Sequence, residues 1–175
     1  MRPPLTEDDL DATEGHRTPA AHRELAQTLL GWAEEVHPDD EVSTAALLAQ
    51  AGWQLDLAGD TDGALDVFRR SQGARGTVEP DVRCSMAAVL LASGRTEEAR
   101  AVAEKFRRSR PAPAECAAMA EVFETAGDLD QAARWTAIGL TRLELTVDDE
   151  LDNWEAEYLL RARARIRAAQ GLPLD

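Results

Sequence analysis

The side chains able to move protons, attack a carbonyl or hold a metal are few and scattered in this 175-residue chain. The histidines are His16, His22 and His37; His37 closes a lone ExxH with Glu34, and none stands in an HExxH. His16 falls in a segment of Pro, Gly and acids. His22 sits on the first turn of a helix, and His37 at that helix's end, where an imidazolium suits the dipole. Cys84 and Cys116 form no CxxC and lie in apolar helical stretches, so two buried thiols are expected rather than a disulfide framework. Paired acids recur at Glu34-Glu35, Asp39-Asp40-Glu41 and Asp148-Asp149-Glu150. Acid–base work needs burial that separates two carboxyl pKa values, and these pairs fall in solvated helix ends and turns. Gly73-Ala74-Arg75-Gly76 has no strand before it, and Lys105 is the sole lysine, so no phosphate loop is read. The expectation is a protein without catalytic residues, metal or cofactor.

Composition narrows the partners. The formal charge is −14, with 13 acids against 3 bases in residues 1–60 and 20 against 16 in the remainder. Binding to nucleic acid rests on Lys and Arg neutralising phosphates, and binding to anionic membrane surfaces on basic clusters. Neither partner is expected. Met1-Arg2-Pro3-Pro4 runs into acids rather than an apolar stretch, and no apolar run reaches spanning length, so the expected location is cytoplasmic. The apolar fraction of 44% supports a core, and only 5% of residues are aromatic. A core built from small residues suits closely packed helices, and alternating apolar patterns are short or missing.

The elements follow from punctuation. Residues 1–17 read as a flexible acidic arm, with Thr6 able to cap one turn through Leu10. Thr18-Pro19 opens a helix carrying Leu25, Leu29, Trp32 and Val36, which His37-Pro38-Asp39-Asp40 ends. Three segments then read alike around Gly59, Gly94 and Gly127, spaced 35 and 33 residues apart. Each ends a helix at Gly, passes a short polar turn and opens another helix. Seven residues before each glycine stands a small residue (Gly52, Ala87, Ala120), and five after it stands Ala64, Ala99 or Ala132. These are the points where two helices of a hairpin approach most closely. Phe68 is a large residue nine positions past its glycine, where Ala103 and Thr136 are small.

A helix–turn–helix period near 34 residues with these small positions resembles the tetratricopeptide repeat (TPR) family. The resemblance implies an all-α fold. Three TPR-like hairpins, at about 43–78, 79–112 and 113–146, would form an α-α superhelix within a single domain over 18–175. One helix precedes them, and a capping helix at about 149–170 follows. That last helix opens after Asp148-Asp149-Glu150, carries Leu151, Trp154, Tyr158, Ala162 and Ile166, and stops at Gly171 and Pro173. The layout, with Arg161 to Asp175, also resembles the TPR segment of a group of actinobacterial proteins, some of which carry a cysteine-rich SEC-C zinc motif. That cysteine cluster is lacking here, so no metal is expected.

In the TPR family the first helix of each pair lines a concave groove. Counting back 13, 10, 6 and 3 residues from each hinge glycine gives Ala46, Ala49, Trp53 and Asp56; then Asp81, Cys84, Ala88 and Leu91; then Ala114, Ala117, Glu121 and Glu124. Leu48, Ala51, Gly52 and Leu55 form the adjacent core stripe. Trp53 has two readings, a groove anchor or packing near Trp32 and Val36. Arg161 and Arg165, counted back from Gly171, either neutralise the Glu121–Glu124 end or are simply solvated. The resemblance implies a non-catalytic scaffold for a protein or peptide that is apolar or basic rather than acidic, because the stripe is acidic. The alternative is a structural protein that self-associates and leaves the groove empty.

Overall fold

A computed structural model describes residues 2–146 and 154–173. Among them the chain is all-helical, with no strand. The helices are α1 (Glu7–Asp11), α2 (Pro19–Glu34), α3 (Thr44–Leu57), α4 (Thr61–Gln72), α5 (Val82–Ala92), α6 (Thr96–Arg108), α7 (Pro113–Thr125), α8 (Leu129–Thr146) and α9 (Trp154–Ala169). Contacts cluster in two compact units, Met1–Val89 and Leu90–Asp175, with the boundary inside α5. A single domain over 18–175 is the expectation from sequence.

The three hinges share one hydrogen-bond pattern. Gly59, Gly94 and Gly127 have φ of 81°, 76° and 79°, in the left-handed region where a Cβ is penalised. In each, the glycine N–H donates to a carbonyl three residues back, and the next N–H donates five back: Asp60 to Leu55, Arg95 to Leu90, Asp128 to Phe123. This is the Schellman closure, which satisfies carbonyls that the helix end would otherwise leave open. Asp60 and Asp128 then cap the following helices by accepting from Gly63 N–H and Gln131 N–H. Arg95 makes no such cap and instead pairs with Glu98 at 2.7 Å.

In the first unit, α3 packs on both α2 and α4. Ala51, Ala64 and Phe68 are fully enclosed, and Leu48 and Leu55 are buried as the core stripe requires. The Ser71 hydroxyl at the end of α4 donates to Ala45 O at the start of α3, 2.8 Å away, which ties the open end of the hairpin. Helix α2 ends at Glu34, short of the expected His37, and Val36 lies beyond it, 61% exposed. Only part of the α2 stripe is interior, with Leu29 fully buried and Leu25 and Trp32 half-buried.

Residues 2–17 are docked rather than free, unlike the flexible arm read from composition. Thr6 caps α1 in a reciprocal box with Asp9. Beyond that turn, Leu5 and Thr13 are buried. Arg2 forms a two-bond fork with Asp40 at 2.5 and 2.7 Å, and Glu41 N–H donates to Leu5 O. Gln50 and Gln54 of α3 donate to the Thr13 hydroxyl and carbonyl. Gln54 Oε1 also meets His22 Nδ1 at 2.6 Å, so this histidine is a buried partner in a polar network.

In the second unit, α7 packs on α8, and α9 lies against both. Ala99 and Ala132 are fully buried. Where the sequence offers only Ala103 and Thr136, volume comes from the neighbouring Phe106 and Trp135, whose rings lie 5.8 Å apart at 30°. The Thr136 hydroxyl is satisfied by Ala132 O. Gly139 admits α9, since a Cβ there would come within 3.0 Å of Leu159 and 3.1 Å of Cys116. The buried face of α9 is Leu159, Ala162 and Ile166, while Trp154 and Tyr158 of the expected stripe are 62% and 38% exposed. The expected opening at Asp148-Asp149-Glu150, with Leu151, lies outside the described residues.

Candidate functional site

Because the three hinges close alike, positions counted back from them should share an environment, and their burial bears this out. Ten back, Ala49, Cys84 and Ala117 are all buried. Thirteen and three back, Ala46, Asp81, Ala114, Asp56, Leu91 and Glu124 are all half-buried. Six back, Trp53 and Glu121 are exposed and Ala88 is half-buried. Ala49, Cys84 and Ala117, expected on the lining, are therefore core. The stripe was drawn one position too wide, and at close helix contact a small side chain ten back turns inward. Cys84 and Cys116 are both buried thiols outside any disulfide, and burial pushes the Cys116 thiol up to about 11.

Trp53 sits on α3 with its ring edge-on to Phe68, centroids 6.0 Å apart and planes at 82°. This is a favourable aromatic geometry. Its aromatic partner comes from its own hairpin, and 37% of the residue remains exposed. Burial raises the Asp56 carboxyl one turn on. Burial also raises Asp81, but hydrogen bonds and charge from Arg83 override it and hold that carboxyl below its usual range.

In the second unit, α9 brings Trp154, Tyr158, Arg161 and Arg165 to one side at helical spacing, and α7 supplies Glu121 and Glu124. Arg165 forks onto Glu124 with bonds of 3.0 and 2.8 Å. The Tyr158 hydroxyl donates to Glu121 at 3.0 Å. Burial and that hydrogen bond raise the Tyr158 pKa, so the phenol stays a neutral donor. Arg161 instead pairs with Glu157 on its own helix. The bridging arginine is thus Arg165. Sequence reasoning treated Trp154 and Tyr158 as a packing stripe; their exposure makes them part of this face. A terminal aromatic four residues from another, followed by arginines at positions 161 and 165, was the available signal.

The carboxylates of this face already have partners. Glu124 is committed to Arg165 and Glu121 to Tyr158. Among the described residues no three His, Cys, Asp or Glu side chains are placed to hold a metal ion, and no helix is long and apolar enough to cross a membrane. No family model, no curated protein and no solved structure matches this chain.

Proposed function

We propose that these helical hairpins are tetratricopeptide-type repeats, and that the chain is a non-catalytic scaffold for a protein or peptide segment. In this reading the ligand meets the exposed and half-buried positions of each unit: Trp53, Asp56 and Ala88 in the first, and Leu91, Glu121, Glu124, Trp154 and Arg165 in the second. The observation that carries the proposal is the shared burial of equivalent positions at three hinges. A periodic core leaves a periodic surface, and repeat proteins use such surfaces to bind. Exposed tryptophans on it have the character of interface anchors. Half-buried carboxylates beside them favour an apolar or basic segment over an acidic one.

Selection of a random peptide library on the purified chain tests this. The recovered peptides that lose binding when Trp53 or Trp154 is replaced are expected to combine aliphatic or aromatic residues with Lys or Arg. Trp53→Ala or Trp154→Ala should weaken them by about 2 kcal/mol or more. Circular dichroism melts separate this from unfolding, since losing the Trp53–Phe68 contact costs about 0.5–1.5 kcal/mol beyond burial. Recovery of poly-acidic peptides whose binding is lost in those same variants would overturn the proposal.

A further inference from the structure

A cavity of about 870 Å3 opens in the second unit, between the turn joining α6 to α7 and one side of α8. Three arginines line it, Arg110, Arg134 and Arg142, together with Pro111, Pro113 and Ile138. No acid is among its lining residues, in a chain whose net charge is −14. The α6–α7 turn is fixed from several sides. Arg110 adopts a φ of 57°, which costs a non-glycine residue about 1–2 kcal/mol. Arg142 donates to Pro111 O, and to Arg107 O at 3.4 Å, clamping the turn to α8.

With Arg142 holding the scaffold, two guanidiniums remain to meet a ligand. Arg110 is exposed and makes no side-chain hydrogen bond or ion pair among the described residues. Arg134 is half exposed, and its one contact is 3.4 Å long, to a Glu104 already held by a two-bond fork from Arg107 at 2.7 and 2.9 Å. Ile138 lies one turn from Arg134 on the same face of α8.

We infer that this cavity binds an extended peptide segment in which a carboxylate side chain stands next to an aliphatic one. Arg110 and Arg134 take the carboxylate, through charge-assisted bonds stronger than neutral ones. The aliphatic residue packs on Ile138 and the prolines. Ala112, Ala137 and Thr141 in the lining are exposed along with Arg110 and Arg134, so the cavity is an open trough. Small-molecule sites enclose about 70–90% of their ligand, which this shape does not do. From Arg134 to Arg142, α8 rises about 12 Å, the span of about four extended residues. The site shares no residue with the faces carrying Trp53 and Trp154, and it selects the opposite charge.

Fluorescence polarisation on the full chain tests it, with a labelled decapeptide alternating glutamate and leucine as the probe. Arg110→Glu and Arg134→Glu should each weaken binding about tenfold or more. Arg69→Glu on α4, a charge-matched change at a residue that does not line the cavity, should alter it by no more than about twofold. Ile138→Asp should abolish binding, with circular dichroism showing the helices retained. Equal binding of the glutamine–leucine peptide, or unchanged binding by Arg134→Glu, would overturn the inference. So would binding of decanoate with none of the peptide, which would assign the trough to a free fatty acid.

Discussion

A methyl group on Gly52 would lie 2.5 Å from the Phe68 ring, which is completely enclosed and has no room to withdraw. Gly52→Ala should therefore destabilise the chain by about 1–3 kcal/mol through overpacking, against the roughly 1 kcal/mol that alanine gains in helix propensity. Adding Phe68→Leu should recover part of that loss, because the two sites share one volume. Thermal melts of the single and double variants measure the coupling. A Gly52→Ala protein more stable than the parent would show that the two helices separate freely. This position was legible because the repeat frame asks for a small residue there. Trp135 was not, since the frame puts the large residue one position later, at Thr136. Only the tertiary stacking on Phe106 reveals the substitution.

At the level of elements, what the sequence disclosed were features set by neighbours in the chain. Thr18 caps α2 as its type allows. The hinge glycines stop three helices. The N-terminal segment was illegible because its contacts join residues about 35 to 41 apart, from Arg2 and Leu5 to Asp40 and from Thr13 to Gln54. Composition sees only its polarity. The hydrogen bond from Arg2, with N–H donors from Leu5 and His37, holds the Asp40 carboxyl well below the usual carboxylate range. A depressed folded pKa gives stability that is fully present above the ordinary value near 3.9 and is lost as pH falls through the folded one. Docking of residues 2–17 should therefore hold down to about pH 4 and weaken progressively as pH falls further. Arg2→Ala should loosen it at neutral pH. Limited proteolysis of this segment reads both effects. Cleavage at the same rate in parent and variant would show that the fork contributes nothing to docking.

Over the whole molecule the charge is lopsided, with acids outnumbering bases 13 to 3 in residues 1–60. The ion pairs in the structure act at contact distance. Arg95–Glu98, Arg107–Glu104 and Arg165–Glu124 all close within 3 Å and sit at or near the surface, where such pairs are worth about 0–1 kcal/mol each. The unpaired excess acts over longer distances and opposes compaction through self-repulsion. Salt distinguishes the two terms. Raising ionic strength from about 0.01 to 0.15 M shortens the Debye length from about 30 to 8 Å. Repulsion between separated carboxylates is then largely screened, whereas groups in contact lie well inside the screening length. Added sodium chloride should therefore raise the melting temperature over this range. A gain of about 1 kcal/mol corresponds to about 2–4 °C for a chain of this size. Replacing exposed acids of the first unit, such as Glu34 on α2 and Asp66 on α4, with neutral amides should shrink the salt effect. The opposite sign, a melting temperature that falls as salt is added, would mean that the local arginine–carboxylate pairs outweigh the repulsion of the acidic excess.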